Sequence, residues 1–592
     1  MKFKLESYNK EKLKSKCGVN HLSSNSEMPV IVYDPCRVWP YCHKTRTDLG
    51  IVSYVAKQGK GEYLSDSNLK DLLDNIYCQN TYFNCKGQSV VPAVLIHADT
   101  GIGKTKFVID TFCNTATTSS KVLILCNRTG LLVQERLELI KNVKSINAEY
   151  SSCNFNAFQL RNKTFTSLEN IDVMMYQQFV NNYNKLDIKQ YSAIICDEVH
   201  YLISDSVFNG TTEKVLQIIT QMFKQTKRIY ITATPYEIAP VLASYEDTIM
   251  GQSIDINIDN FNLIRFYVKP YRRNYVLKSI EWSSNENKLT ENIYSALALK
   301  EGEKILIFVD SKNFGNTLVE YFKGKNLSVT YLDKDEKESE NYKTLIEECR
   351  FKSDVLITTS VSYNGINIHM KEVRHIIVFS MDQVEYLQSI GCVRIDESYD
   401  PINIYLIDFD KSYISKRLNY LRRSLSECYE AQRNPQAYTA RHLGDTPPVP
   451  PVYYDYENSK TYVNALAIRK FESDIEYCQF LMEQYEIDPH ICLNEQKKWL
   501  KSFISKKQID GYSYGQSKII NLLEKNIDKC FTKDNIYIIC DKVRDLAKKY
   551  FGYTEQNPGE HFTPAKSNNI FKEHNIPYII DNGRKYINIL RT

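Results

Sequence analysis

The stretch Ala98-Asp99-Thr100-Gly101-Ile102-Gly103-Lys104-Thr105 constrains this chain more than any other. It follows the apolar run Ala93-Val94-Leu95-Ile96-His97 and precedes Lys106-Phe107-Val108-Ile109-Asp110, which has the pattern of a helix. A strand, a glycine loop closing on Gly-Lys-Thr, and a helix make the setting of a phosphate-binding loop. The glycines let the backbone curl so that successive N–H groups face one phosphate, and the helix N-terminus adds its dipole. In that arrangement Thr100, Gly101, Gly103, Lys104 and Thr105 hold a nucleotide. Lys104 reaches the β/γ-phosphates, and the Thr105 hydroxyl goes to Mg²⁺. An ordinary turn explains the glycines but not a lysine directly after one.

From Ala93 onward, short apolar runs alternate with helical stretches. The first series is Ala93–Ala98, Lys121–Asn127, Asp172–Tyr176, Ala193–Asp197 and Arg228–Thr232. The second is Lys304–Asp310, Ser328–Leu332, Asp354–Thr359, His375–Ser380 and Ile402–Ile407. Nearly continuous apolar runs of this length are strands buried on both faces. Two such arrays predict an α/β protein of two tandem doubly wound parallel-sheet domains. With 592 residues the chain has room for two to four domains. The expected division is an N-terminal extension over 1–60, a first domain over 61–245, a connection over 246–300, and a second domain over 301–430. A Pro-rich linker over 431–455 and a C-terminal accessory region over 456–592 complete it. The linker reading rests on Gly444-Asp445-Thr446-Pro447-Pro448-Val449-Pro450-Pro451, which fits neither helix nor central strand.

Composition excludes more than it assigns. Net charge is only +4, so a nucleic-acid surface has to be a local basic stripe. No run approaches the ~18 apolar residues of a membrane span. Met1-Lys2-Phe3-Lys4-Leu5-Glu6-Ser7 lacks an apolar signal core. The sixteen cysteines are scattered, and Cys126, Cys196 and Cys540 lie inside apolar runs, as reduced thiols of a cytoplasmic protein do. Cys17, His21, Cys36, Cys42 and His43 lack the spacing of a zinc site and read better as packing or surface residues.

The second chemical signal is Asp197-Glu198-Val199-His200, at the end of the fourth run of the first series. A carboxylate at a strand end beside a phosphate loop supplies a further Mg²⁺ contact, here Asp197. Glu198 then orients or deprotonates a water. Thr232-Ala233-Thr234-Pro235 follows the next strand.

In this order the motifs resemble those of superfamily 2 helicases of the DExH type, over about residues 90–420. Ala98–Thr105 is similar to the family's motif I, Asn127–Gln134 to motif Ia, Asp197–His200 to motif II and Thr232–Thr234 to motif III. Met175-Tyr176-Gln177-Gln178 falls at another strand-end contact motif. Ile307–Ser311 is similar to motif IV, Thr358–Ile368 to motif V, and Gln388–Arg394 to motif VI. The resemblance implies two RecA-like lobes with ATP between them, Lys104 and Asp197 on one and Gln388 and Arg394 on the other. It implies that Gly365 and Asn367 serve the nucleotide site. It also implies that His200, Thr232 and Thr234 couple hydrolysis to lobe movement, and that Arg128, Gln134 and Thr359 touch the nucleic-acid backbone.

Motif VI departs from the usual Gln-x-x-Gly-Arg-x-x-Arg. Cys392 stands at the first arginine and Arg394 comes one residue early, in a shortened form that resembles viral origin-binding helicases. Arg394 is expected to be the finger, because Cys392 offers no charge-assisted donor.

Near the C-terminus, helical patterns over 517–530 and 535–550 precede a third helix, Ser567–His574. Two apolar runs follow, separated by Asp581-Asn582-Gly583. Asn-Gly between such runs signals a hairpin. The set resembles a winged helix over 553–592, with Lys566, Lys572, Arg584 and Lys585 facing phosphates.

The expectation is therefore an ATP- and Mg²⁺-dependent helicase or translocase. DNA is favoured over RNA on the forms of motifs Ia and VI, in replication, recombination or a mobile-element setting. The alternative is a nucleic-acid-activated ATPase switch that separates no strands.

Overall fold

The computed structural model describes most of residues 51–591. Residues 1–50, 57–63, 78–81, 84–88, 144–166, 251–262, 269–272, 334–338, 360–366, 395–400, 443–449, 456–459, 502–503, 505–513, 528, 530, 555–560, 583–586 and 592 lie outside the described residues. Cys17, His21, Cys36, Cys42, His43, Gly365, Arg584 and Lys585 are among these.

The first sheet has eight strands. Seven are β1 (Ile51–Ala56), β2 (Ala93–His97), β3 (Lys121–Cys126), β4 (Ile171–Met175), β5 (Tyr191–Cys196), β6 (Lys227–Thr232) and β7 (Leu263–Val268). They lie parallel in the order β1-β7-β2-β6-β5-β3-β4, and the short strand Ser167–Leu168 pairs antiparallel at the β4 edge. Successive side chains of a strand point to opposite faces. Val94, Ile96, Ile124, Ile195 and Ile231 accordingly pack on one side with Phe107 of α1 (Lys104–Thr111) and Leu132 of α2 (Thr129–Asn142). Leu95, Leu123, Ile194 and Tyr230 pack on the other with Leu216 of α3 (Thr212–Met222) and Leu242 of α4 (Ile238–Met250).

The second sheet has six strands: β8 (Tyr275–Glu281), β9 (Lys304–Phe308), β10 (Val329–Leu332), β11 (Val355–Thr358), β12 (Val373–Val378) and β13 (Ile402–Asp408). All pair in parallel, in the order β8-β13-β12-β9-β11-β10. Helix α5 (Gln383–Gly391) follows β12, capped by the Asp382 side chain. Two doubly wound parallel sheets are the fold class the alternating pattern calls for.

The expected divisions differ from the observed ones. The supposed connection 246–300 contributes β7 to the first sheet and β8 to the second. β8 is hidden in the sequence because an edge strand mixes apolar and polar side chains, as in Tyr-Val-Leu-Lys-Ser-Ile-Glu, and β7 because Arg265 and Tyr267 interrupt its apolar run. The expected linker 431–455 carries the end of α6 (Lys411–Arg433), a helix Pro435–Arg441 capped by Asn434, and β14 (Val452–Asp455). Pro435 sits in the first turn, where its missing N–H costs nothing. β14 pairs antiparallel with β15 (Lys460–Val463), and α7 (Ala465–Tyr485) follows. By its contacts one compact unit takes the residues up to Pro270 together with Lys411–Glu486. The other takes Tyr271–Tyr363, Asn367–Asp410 and Ile487–Thr592.

The C-terminal region has its own core of Ile519, Ile536, Ile570, Phe571, Ile580 and Ile589. They come from α8 (Tyr514–Glu524), α9 (Lys533–Phe551), α10 (Pro564–Glu573) and the antiparallel pair β16 (Tyr578–Asn582) and β17 (Ile587–Arg591). Phe531, between α8 and α9, adds a third strand position by bridging to Ile587.

Candidate nucleotide site

β2 ends at His97 and α1 begins at Lys104, with the loop between them built on two left-handed glycines. Gly101 and Gly103 both have φ of 80°, a region a Cβ disfavours. The Asp99 carboxylate accepts the Thr100 N–H at 2.7 Å. Thr100 is buried, and Gly103, Lys104 and Thr105 are half-buried. The loop is tied to the neighbouring strand, because the Ala98 N–H donates to the Thr232 carbonyl at 3.1 Å.

β5 delivers the acidic pair beside it. The Asp197 N–H donates to the Leu125 carbonyl at 2.9 Å, and the Val199 N–H to that of Ile231 at 3.0 Å, which fixes the turn 197–200 at the strand ends. Glu198 has φ of 45°, a left-handed conformation unusual for a glutamate and the kind of strain found where a side chain must be aimed. Its carboxylate pairs with the Lys104 ammonium and stands 3.3 Å from His200 Nδ1. Burial alone would raise the Glu198 carboxyl, but Lys104 and His200 outweigh it and hold the group well below the usual range. Asp197 goes the other way: burial and the adjacent Glu198 charge push it up to about 6.

A third carboxylate, which the motif spacing did not flag, belongs to the same cluster. Glu135 of α2 is 5 % exposed and accepts the Thr105 hydroxyl at 2.9 Å. Burial and the Asp197 charge push it up to about 8. Nothing in a helical Gln-Glu-Arg run points to a glycine loop 30 residues upstream; only the packing of α2 beside α1 brings them together.

The residues expected to couple lie in one line. His200 Nδ1 stands 3.0 Å from Thr232 Oγ1, which also accepts the Thr234 N–H at 3.0 Å, and all three residues are buried. Arg128, expected on nucleic acid, is paired with Asp205 at 2.9 Å and lies 5.4 Å over the Tyr201 ring. Gln134 is half-buried on α2. Thr359 is half-buried at the end of β11, its N–H on the Leu332 carbonyl.

Within the second unit, the motif V and VI residues are knitted together. The Ile368 N–H donates to the Cys392 carbonyl at 2.8 Å, and the Arg394 N–H to the Ile368 carbonyl at 2.9 Å. The Arg394 guanidinium donates to the Asn367 side chain and, at 3.1 Å, to the Gly391 carbonyl. Gln388 is buried. Cys392 is 4 % exposed and turns its thiol back onto the Gln388 carbonyl at 3.3 Å, so this position is a packed end of α5.

Two family descriptions match the chain: "Type III restriction enzyme, res subunit" over residues 69–237 and "Helicase conserved C-terminal domain" over residues 287–395. A curated relative, ATP-dependent RNA helicase DBP2 of Candida albicans, is 21 % identical over 210 residues, which are 35 % of this chain and 35 % of that protein. The match thus spans about a third of the relative's length. Among solved structures, S. cerevisiae Dbp5 bound to RNA and ADP BeF3 is 17 % identical with a TM-score of 0.41, over 60 % of this chain and 84 % of that one. The DEAD-box helicase Mss116 bound to ssRNA and UDP-BeF is 16 % identical with a TM-score of 0.38, over 53 % and 66 %. The two matched segments include the phosphate loop and acidic pair beside one sheet and residues Gln388–Arg394, from the end of α5 onward, beside the other. Over those residues the chain therefore carries a domain similar to the res subunit of type III restriction enzymes and a domain similar to the conserved helicase C-terminal domain.

Proposed function

We propose that the chain is an ATP-driven motor on nucleic acid, a helicase or translocase of the DExH type. The observation that carries this is the continuous line Lys104–Glu198–His200–Thr232 at the strand ends of the first sheet. The left-handed glycines and Lys104 suit a nucleotide triphosphate. The oxygens of Thr105 and Asp197, with Glu135 beside them, suit a hard divalent cation, so Mg²⁺ would be held there and would neutralise phosphate charge. Binding a phosphate draws the Lys104 ammonium away from Glu198. The carboxylate so released is then a free base, aimed by its left-handed backbone, that takes the proton of the attacking water. His200 senses the change and passes it to Thr232. Arg394 is proposed as the finger, with Gln388 and Asn367 holding its surroundings.

The C-terminal order of helix, bridge strand, two helices and hairpin supports a winged-helix-like module, with Lys566 and Lys572 as phosphate contacts and Arg584 and Lys585, outside the described residues, as further proposed contacts. DNA is the proposed substrate, on the forms of motifs Ia and VI, with a role in replication, recombination or a mobile element. One observation favours RNA instead: the curated relative is named an RNA helicase. Buried free thiols at Cys113, Cys126 and Cys196 fit a reducing, cytoplasmic setting. No helix among the described residues is long and apolar enough to cross a membrane. The test is ATP hydrolysis by the full chain against single-stranded DNA, duplex DNA and RNA, beside strand displacement. Stimulation with displacement supports the motor. Stimulation without displacement supports an ATPase switch, and no hydrolysis under any condition overturns both.

A further inference from the structure

Helix α7, packed against α6, lies beyond both matched segments, yet its contacts fall on the loops that follow the acidic pair and the Thr-Ala-Thr strand end. Asn464, which begins α7, is 1 % exposed. Its Nδ2 donates to the Asn209 carbonyl at 2.7 Å and the Thr212 hydroxyl at 2.8 Å, with Ser206 O at 3.4 Å. Its Oδ1 caps the helix by accepting the Leu466 N–H at 3.0 Å. The Ala465 N–H donates to Glu213 at 2.9 Å. Gly210 lies so close under Tyr453 of β14 that a Cβ there would come within 2.4 Å of the ring. Six residues on, Lys470 is 4 % exposed and reaches Glu237 at 2.8 Å, three residues past Thr234, and Asp474 at 2.7 Å. Leu466 completes the core under Leu202 and Leu242.

We propose that Asn464 and Lys470 are positioning residues for ATP hydrolysis, making α7 a brace of the first domain. Asn464 fixes the far side of the loop that leaves Asp197–His200. Lys470 fixes the far side of the loop that leaves Thr232–Thr234. The His200–Thr232 contact joins the two strand ends from which these loops leave, and Glu198, with its left-handed backbone, lies two residues before His200. A shift of α7 therefore moves the water-activating carboxylate and its relay together, while the glycine loop keeps the shape that its left-handed Gly101 and Gly103 give it. This inference rests on the functional reading above.

Asn464→Ser keeps a helix-capping oxygen but removes the amide that donates to the loop. Lys470→Met keeps the length of the side chain but loses its charge. Steady-state ATP hydrolysis by the full-length chain should show kcat falling about tenfold in each, with the KM for ATP unchanged within about twofold. A helix that merely stabilised the fold would lower the melting temperature and leave kcat per folded molecule intact. Wild-type kcat in both folded variants, or loss of fold in both, overturns the proposal; if only one folds, its kcat decides. A wild-type chain with no turnover fails the functional reading instead, so the two failures are told apart.

Discussion

His200 Nδ1 and Thr232 Oγ1 stand 3.0 Å apart in a fully buried setting, joining the turn that carries the acidic pair to the next strand end. A buried hydrogen bond of this kind contributes roughly 0.5–1.5 kcal/mol, so its loss is worth about two- to tenfold in a coupled rate. Thr232→Val should leave ATP binding intact and lower strand displacement more than hydrolysis. Equal losses in both, measured side by side, would place Thr232 in the chemistry and not in its transmission.

Lys104→Ala and Glu198→Gln should both abolish turnover, for opposite reasons. The first removes the phosphate contact and should weaken nucleotide binding. The second removes the base and also the carboxylate that Lys104 must leave to meet a phosphate, so nucleotide should bind at least as tightly as in the wild type. Fluorescent-nucleotide titration separates them. Stimulated hydrolysis surviving in either variant contradicts the site.

Glu135 gives a pH signature. Its carboxyl lies near 8 in the folded protein, above its ordinary value, because of burial and the Asp197 charge. A raised carboxyl favours the fold while both states are protonated, and that contribution is lost as pH rises through the folded value. The nucleotide-free chain should therefore lose stability between about pH 4.5 and 8. Glu135→Gln should flatten that part of the profile and raise the melting temperature at pH 8. An unaltered pH profile in the variant would show that Glu135 is charged and otherwise compensated.

Arg394→Ala should cost turnover, since a finger can contribute about 10³–10⁵. Cys392→Ala should be nearly silent in hydrolysis, because the thiol is a weak donor and gives its hydrogen to a carbonyl of its own helix. Cys392→Arg would restore the family's usual residue to a buried, packed position, and the guanidinium would enter without a partner there. The expected result is a lower melting temperature and no gain in turnover. A dead Cys392→Ala beside an active Arg394→Ala would move the finger to another arginine.

What could be read from the chain and what could not divide along a physical line. The strands β2, β3, β5 and β6, and their counterparts β9, β11 and β12, are covered on both faces, so their apolar runs stand out. Lys104, Asp197, Glu198 and His200, the residues of the proposed chemistry, lie at or just past their ends and stand out with them. Edge and near-edge strands such as β1 and β8 mix in serine, lysine and tyrosine and give no such signal. Glu135, Asn464 and Lys470 escaped for a different reason. Each acts through a partner far away in sequence, and no local spacing encodes a contact such as Asn464 to Asn209.

The route of the chain through the first unit bears on how it is made. Its sheet is finished at Val268, but Leu466 and Asn464 arrive only after the whole second sheet has been synthesised. Until then the growing first unit exposes apolar surface near Leu202 and Leu242 and leaves the Asn209 carbonyl to solvent. Domains are generally completed in order of synthesis; this one cannot be. A chain ended at residue 410 would contain both matched segments and still lack a piece of the earlier core, so it should aggregate during expression where the full chain does not.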